Sequence, residues 1–345
     1  MAENPVERVI LALGLAPGPF IENMTAMLLA RTVMVATRLG AFEALASGPL
    51  SAPEVAARCG THPAPTAKLL NALVGSGYVR ADAERYVLTP VSRKWLLKDA
   101  PQSLHDNMLF RFMEWDFISH YDEFIRTGVP LDVHQNVTSD EQWGIYQRGM
   151  RSLAALAAPE VARRTPVPGG ARDMLDIGGS HGYNAVVLCR RHPGLRAVIL
   201  DLPEAVAQAA PILAKEGMGD RVVHRPGNAL TDDLGTDAWD VIFIAQLVHH
   251  FDDETNRSLA RRVARALRPG GVYVIHEAIR ADSPTQGGQL GALLDLFFAL
   301  TSQSGTWSLE EMADWQRQAG LEPKKPIRFR TAPGLAQQAA VKAAR

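Results

Sequence analysis

Two apolar runs that read as neighbouring strands end in residues able to move a proton or hold a metal. His249 and His250 close WDVIFIAQLVHH, and His276 with Glu277 lie near the end of VYVIHEAI. An imidazole at a strand end can take a proton near neutral pH, because its ordinary pKa is about 6.5. Two imidazoles and a carboxylate would instead suit an iron ion. Successive side chains of a strand point to opposite faces, so His276 and Glu277 part, and His249 and His250 diverge if the strand runs through them. No metal site is therefore expected, and a general base drawn from His249 or His250 is.

A second constellation lies in MLDIGGSHGYNAVVL, residues 174–188, where an apolar run passes through Asp176 into Gly178, Gly179 and Gly182. Bare backbone at a strand end lets a nucleotide approach closely, and the helix that follows offers free N–H groups. A dinucleotide fingerprint needs glycine at its first, third and sixth positions. Counted from Gly178, those later positions are Ser180 and Tyr183, which disfavours a pyrophosphate. Asp201, ending the next apolar run, can take both hydroxyls of a ribose in a bidentate hydrogen bond. The pattern suits an adenosine with a free ribose diol and no phosphate.

The elements that must position these residues alternate strand and helix from Met174 onward: MLDIGG, YNAVVLCRRHP, RAVILDLP, AVAQAAPILAKEG, RVVHRPGNAL, WDVIFIAQLVHHF, ETNRSLARRVARALRPGG and VYVIHEAI. Continuous apolar strands in such an alternation predict a parallel sheet covered on both faces, an α/β domain that binds ligands at the carboxyl ends of its strands. TPVPGGARD, residues 165–173, reads as the linker that precedes it. Upstream, residues 23–46 have apolar residues at helical spacing and predict one buried helix. Ser51 and Glu54 predict a capping box opening a second helix that Gly60 ends. HPAPTAKLLNALVGSG and the alternating YVRADAERYVLTP add a third helix and a hairpin, which together make a winged helix.

Winged helices often bind DNA, but residues 61–79 carry a single base, Lys68, so a packing and dimerisation module is the preferred reading. The bulk properties agree. A chain of 345 residues is long enough for two cores, and a formal net charge of −1 gives no general attraction to nucleic acid or anionic lipid. The two cysteines, Cys59 and Cys189, cannot make a disulfide framework, and a reducing cytoplasm is the expected compartment. Acids in MAENPVERVILALG speak against a signal peptide, and Arg31, Arg38 and Glu43 interrupt the most apolar segment, so no membrane segment is expected.

DIGGSHG, LDLPEA, PGNAL, HHFDDE and RPGG occur in the order and spacing of a known family. The chain resembles the S-adenosylmethionine-dependent O-methyltransferases of the plant caffeic-acid and bacterial polyketide-tailoring type over residues 20–330. The resemblance implies a winged-helix dimerisation domain at residues 1–100, a helical segment contributing to the substrate pocket at 101–165, and a Rossmann-like class I methyltransferase domain at 166–345. It also implies a homodimer and S-adenosyl-L-methionine as cofactor, held by Gly178, Gly179, Ser180, Gly182, Asp201, Leu202, Asn228 and Ala229. Of these, Ser180 replaces a common glycine, and Asn228 replaces an acid whose oxygen meets the adenine amine. An amide oxygen can still accept that bond, so weaker binding rather than loss is expected.

Methyl transfer from a sulfonium is an in-line displacement that needs a good nucleophile. A phenol with pKa near 10 costs roughly 4 kcal/mol to ionise at pH 7, and a placed imidazole can remove its proton during transfer. The resemblance assigns that base to His249, with Glu277 orienting it, and puts His250 where the family has aspartate. A second family acid is expected where this chain has Thr306, which leaves open a more acidic acceptor, catalysis by proximity, or methylation at carbon or nitrogen. Asp252, Asp253 and Glu254 read as the N-terminal acids of the next helix. Phe110, Met113, Trp115, Met150, His250, Asp295 and Phe298 are candidates for an aromatic-lined pocket between the domains, suited to a planar or hydrophobic small molecule. A methyltransferase-fold enzyme that uses the bound sulfonium only for electrostatics is the runner-up function, and a DNA-binding regulator is disfavoured.

Overall fold

Gly40, at φ 78°, ends what the spacing of residues 23–46 predicts as one helix. The structure, a computed structural model, describes residues 5–131, 133, 137, 139–281, 283, 288–302 and 304–344. Its chain divides into two units, residues 1–112 and 113–345. The first holds α1 (Pro5–Ala12), α2 (Gly18–Arg38), α3 (Ala41–Ala44), β1 (Leu50–Ser51), α4 (Ala52–Cys59), α5 (Pro63–Gly75), β2 (Val79–Asp82), β3 (Arg85–Leu88), α6 (Pro90–Trp95) and the start of α7 (His105–Ile118). The Ser51 hydroxyl accepts from the Glu54 amide while the Glu54 carboxylate accepts from Ser51, the expected capping box. β1, β3 and β2 form a small antiparallel sheet beside the helices, and Phe42, Leu45, Val55, Leu70, Leu73 and Leu88 fill the core between them.

The predicted single buried helix is corrected in a second respect. Met27 and Leu28, expected inside, are 52% and 55% exposed, and Leu39 is exposed too. Phe20, Met24, Met27 and Leu28 form an apolar stripe along α2 that the described residues leave uncovered. Periodicity finds the apolar face of a helix but does not say whether the same chain covers it.

The second unit continues α7 and contains α8 (Tyr121–Thr127), α9 (Asp140–Arg164), β4 (Asp173–Ile177), α10 (Tyr183–Arg191), β5 (Arg196–Asp201), α11 (Pro203–Ala214), β6 (Val222–Pro226), β7 (Trp239–Ala245), α12 (Asp253–Ala266), β8 (Leu267–Ala278), α13 (Gly288–Thr301), α14 (Leu309–Gln318), β9 (Glu322–Pro323), β10 (Ile327–Arg328) and β11 (Leu335–Val341). Residues 101–165 are thus shared between the units. The sheet runs β10, β11, β8, β7, β4, β5, β6, with β9 also on β11. β4 to β8 are parallel as expected, but β11 lies antiparallel to β8, β9 and β10. The sheet is therefore mixed, and the few residues between β10 and β11 are too short for a parallel crossover, so that pair is a hairpin. β8 also starts before RPGG rather than after it, since Leu267 already pairs with Trp239.

Each central strand is apolar on both sides. Ile177, Leu200, Ile242 and Ile275 pack toward Leu259 and Val263 of α12 and Trp315 of α14. Met174, Ile199, Phe243 and Val274 pack toward Val186 and Leu188 of α10 and Val161 of α9. The last turns of α9 are pinned to the C-terminal part of the chain by Glu160, which accepts from Arg164 at 2.6 Å, from the Arg330 and Thr331 amides at 2.9 Å each, and from the Thr331 hydroxyl. Burial of this carboxylate raises its pKa, but the four donors outweigh burial and bring it down to about 2. A depressed folded pKa contributes stability above the unfolded value, lost as pH falls through the folded one. Chemical denaturation between pH 4.5 and 2 should therefore show the protein losing stability, with Glu160→Gln less stable by roughly 1–3 kcal/mol at pH 7 and less pH-dependent across that window. Among the described residues, no helix is long and apolar enough to cross a membrane.

Candidate active site

The chain leaves β4 for β5 and β6 on one side and returns to β7 on the other, so the loop after β4 opens at the switch in strand order, where such sheets bind ligands. Space dictates the glycines of this loop. A Cβ on Gly178 would stand 2.7 Å from Leu247, one on Gly179 would stand 2.6 Å from the Asp176 carboxylate, and one on Gly182 would run into Ile199. Gly182 also has φ 72°, a left-handed conformation, at the start of α10. Gly182→Ala should consequently cost about 2–4 kcal/mol through overpacking and backbone strain, read from denaturant midpoints.

Asp201 ends β5 with its Oδ2 accepting from the Ser180 amide at 2.7 Å and its Oδ1 from the Leu202 amide at 2.8 Å. Each oxygen keeps a second lone pair, so the carboxylate is fixed in direction and can still accept two hydroxyls. Burial pushes its pKa up. Asp176 beneath the loop is fully buried, its carboxylate oxygens have no well-formed hydrogen bond among the described residues, and burial with the nearby Asp201 charge, offset only in part by the Ala185 N–H, raises its pKa to about 8. Leu202 and Ala229 stand at the following loops, Leu202 exposed.

Asn228 has a structural task beside the one the resemblance gives it, and its oxygen keeps a second lone pair. Its Oδ1 accepts from the Leu230 backbone N–H at 2.9 Å, while the Asn228 backbone N–H donates to the Asp232 carboxylate at 3.0 Å. Asn228 shapes its own turn, as short amide side chains do.

Beyond β7 the chain does not continue extended but folds into a 3-10 turn over Val248–His250. His249 and His250 therefore do not diverge: their rings lie 4.3 Å apart, centre to centre. Asn256 and Trp307 both donate to the Val248 carbonyl, at 3.0 and 3.1 Å, and hold the turn. His249 is buried with Nδ1 2.9 Å from Glu277 Oε1, and the Phe298 ring of α13 stacks on it at 4.3 Å. Glu277, with no solvent exposure, also accepts from the Leu247 and Ala278 amides at 3.1 Å each. An ionised Glu277 places the imidazole proton on Nδ1 and leaves Nε2 as the basic nitrogen. His250 Nδ1 pairs with the Ser302 hydroxyl at 3.0 Å.

His276 faces the other side of its strand, between Phe243 and Phe329, and burial holds its pKa down to about 4. Among the described residues, no group of three or more histidine, cysteine or acidic side chains is placed to hold a metal ion. Asp295 of α13 accepts from the amide and the hydroxyl of Thr306, so the residue standing where the resemblance expects an acid is itself bound to one. Phe110, Met113 and Trp115 lie on α7, across which the units divide, and Met150 is half-buried on α9. Asp252 caps α12 by accepting from Thr255 at 2.8 Å. Sequence reasoning passed over Gln147, His224, Asn256 and Trp307, whose partners lie 8 to 59 residues away in the chain. No local spacing signals contacts of that range.

Comparison with known proteins identifies the family and the fold. Residues 121–321 match the O-methyltransferase domain, and residues 21–98 match the O-methyltransferase dimerisation domain. A 3-hydroxy-5-methyl-1-naphthoate 3-O-methyltransferase of Streptomyces sahachiroi is 28% identical over 306 residues, covering 87% of this chain and 88% of its own. An L-tyrosine C(3)-methyltransferase of Streptomyces lavendulae is 26% identical, covering 84% and 82%. The crystal structure of human N-acetylserotonin methyltransferase in complex with SAM shares the fold with a TM-score of 0.85 at 18% identity, covering 99% of both chains. With the O-methyltransferase domain matched over more than half of the chain and the dimerisation domain ahead of it, the chain belongs to the O-methyltransferase family.

Proposed function

We propose that this protein methylates a hydroxyl of a small aromatic molecule, with S-adenosylmethionine as donor and His249 as general base. The observation that carries the reading is the buried His249 and Glu277 pair, joined at 2.9 Å where β7 and β8 end. When bound, the donor supplies an electrophilic methyl on a sulfonium. The residues at the switch point fit it: Asp201 offers two oriented oxygens to a ribose diol, the glycine loop leaves its backbone bare, and the buried carboxyl of Asp176 lies beneath.

His249 Nε2 accepts the acceptor's proton, and Glu277 holds the ring and stabilises the imidazolium that forms. Phe298 and the buried turn keep water from the ring. A hydroxyl needs such a base, and the match to the O-methyltransferase domain favours oxygen over the carbon acceptor named for the tyrosine-modifying relative. The naphthoate-modifying relative supports an aromatic acceptor. The apolar stripe of α2 supports pairing with a second copy through the N-terminal unit, and α5, with Lys68 alone among its bases, gives no support to nucleic-acid binding. A cytoplasmic enzyme fits this reading.

Incubation with methyl-labelled donor and a panel of phenols, keto acids and amines tests the proposal. Label on a phenolic oxygen is expected. Donor binding without turnover on any acceptor would favour an enzyme that uses the sulfonium only for its charge, and label on ring carbon would move the acceptor atom.

A further inference from the structure

Ser180 stands where the resemblance expects glycine, and all three of its polar groups are engaged by different elements. Its N–H donates to Asp201 at the end of β5, at 2.7 Å. Its hydroxyl bonds the side-chain oxygen of Gln147 on α9, and its carbonyl meets Nε2 of His224 on β6 at 2.8 Å. The residue has φ 53°, a left-handed conformation that a serine resists. Such a conformation persists when its surroundings over-determine it.

We propose that Gln147, Ser180 and His224 form a brace that aims the Asp201 carboxylate at the donor's ribose, which makes Gln147 and His224 positioning residues of the donor site. The inference rests on the donor assignment above and adds residues that neither the motif nor the ribose acid includes. The bond to Asp201 leaves from the peptide before the Ser180 α-carbon and the bond to His224 from the peptide after it, so together they fix its backbone torsions. The side chain supplies the third point, from a helix outside the sheet. Gln147 is buried, and its amide oxygen would lack this partner if residue 180 were glycine. His224 serves in the tautomer that carries its proton on Nε2, because a carbonyl can only accept.

Calorimetric titration of the full chain with S-adenosylhomocysteine tests the brace without an acceptor. Gln147→Met keeps the length of the side chain and removes the acceptor, and should weaken binding roughly 5- to 20-fold. Ser180→Gly should weaken it about 3- to 10-fold, even though glycine suits the backbone better. The double variant should bind no worse than the weaker single one, because both remove the same bond. His224→Phe should also bind more weakly, and His224→Gln, which keeps an N–H donor, should recover most of the loss. Unchanged or tighter binding by Ser180→Gly, additive losses in the double variant, or no recovery by His224→Gln would each overturn the brace while wild-type affinity upholds the donor assignment. A wild-type chain with no measurable affinity would overturn both.

Discussion

His249→Ala should lower turnover about 10²- to 10⁴-fold while affinity for S-adenosylhomocysteine stays within about twofold. Both numbers come from one preparation, the first from initial rates with labelled donor and the second from calorimetry. The division of labour follows from position. His249 sits on the turn after β7 with its Nδ1 on Glu277, while the groups assigned to the donor follow β4 and β5. Removing the ring takes away the proton acceptor and leaves Asp201, Ser180 and the glycines as they were. Glu277→Gln probes the same pair from behind. Glutamine can still accept from Nδ1 but no longer stabilises an imidazolium, and the amides of Leu247 and Ala278 lose a charged acceptor. Turnover should fall here too, and more steeply for acceptors of high pKa, since these depend most on the base. A His249→Ala protein that keeps its turnover, or loses donor affinity by tenfold or more, would remove the base from the reading.

How far the site could be read in advance depended on the range of the interactions that build it. The glycines, Asp201 and the two histidines announce themselves because each stands at the end of an apolar strand, and strand ends are where this architecture gathers ligands. The parallel pairing of β4 to β8 needed only the alternation of strand and helix. The turn at Val248–His250 was hidden, because a 3-10 turn held by Asn256 and Trp307 has no signature in WDVIFIAQLVHH, and reading the strand straight through it sent the histidines apart. The antiparallel β11 lay beyond the last clear alternation. The exposure of Met27 and Leu28 was hidden for another reason: helical spacing is the same whether the cover comes from this chain or a second one. Asn228 shows what a motif leaves out, since its oxygen also accepts from the Leu230 N–H two residues away and so shapes its own turn.

Asp201→Ala should show the complementary result, donor affinity reduced by about 10²-fold or more with turnover at saturating donor close to wild type. Two hydrogen bonds to a charged acceptor contribute roughly 1.5–3 kcal/mol each, so losing both, about 3 kcal/mol even at the low end, reaches that figure. The effect is magnified because the same carboxylate organises the loop: without it, the amides of Ser180 and Leu202 lose their acceptor. Asp201→Asn separates the two contributions. Its single oxygen can satisfy one of those amides, but its NH₂ faces the other as donor against donor, so it should recover little of the affinity even though its size is unchanged. Asp176 gives an independent reading of the same change. Its pKa is raised first by burial and then by the charge of Asp201, so deleting that charge should shift its titration down from about 8 while leaving it above the ordinary carboxylate range. Infrared titration of the buried carboxyl in wild type and Asp201→Ala would see this without any ligand. An affinity loss with no movement of Asp176 would place the two acids farther apart electrically than the loop geometry requires, and a moved titration with unchanged affinity would take the ribose away from Asp201.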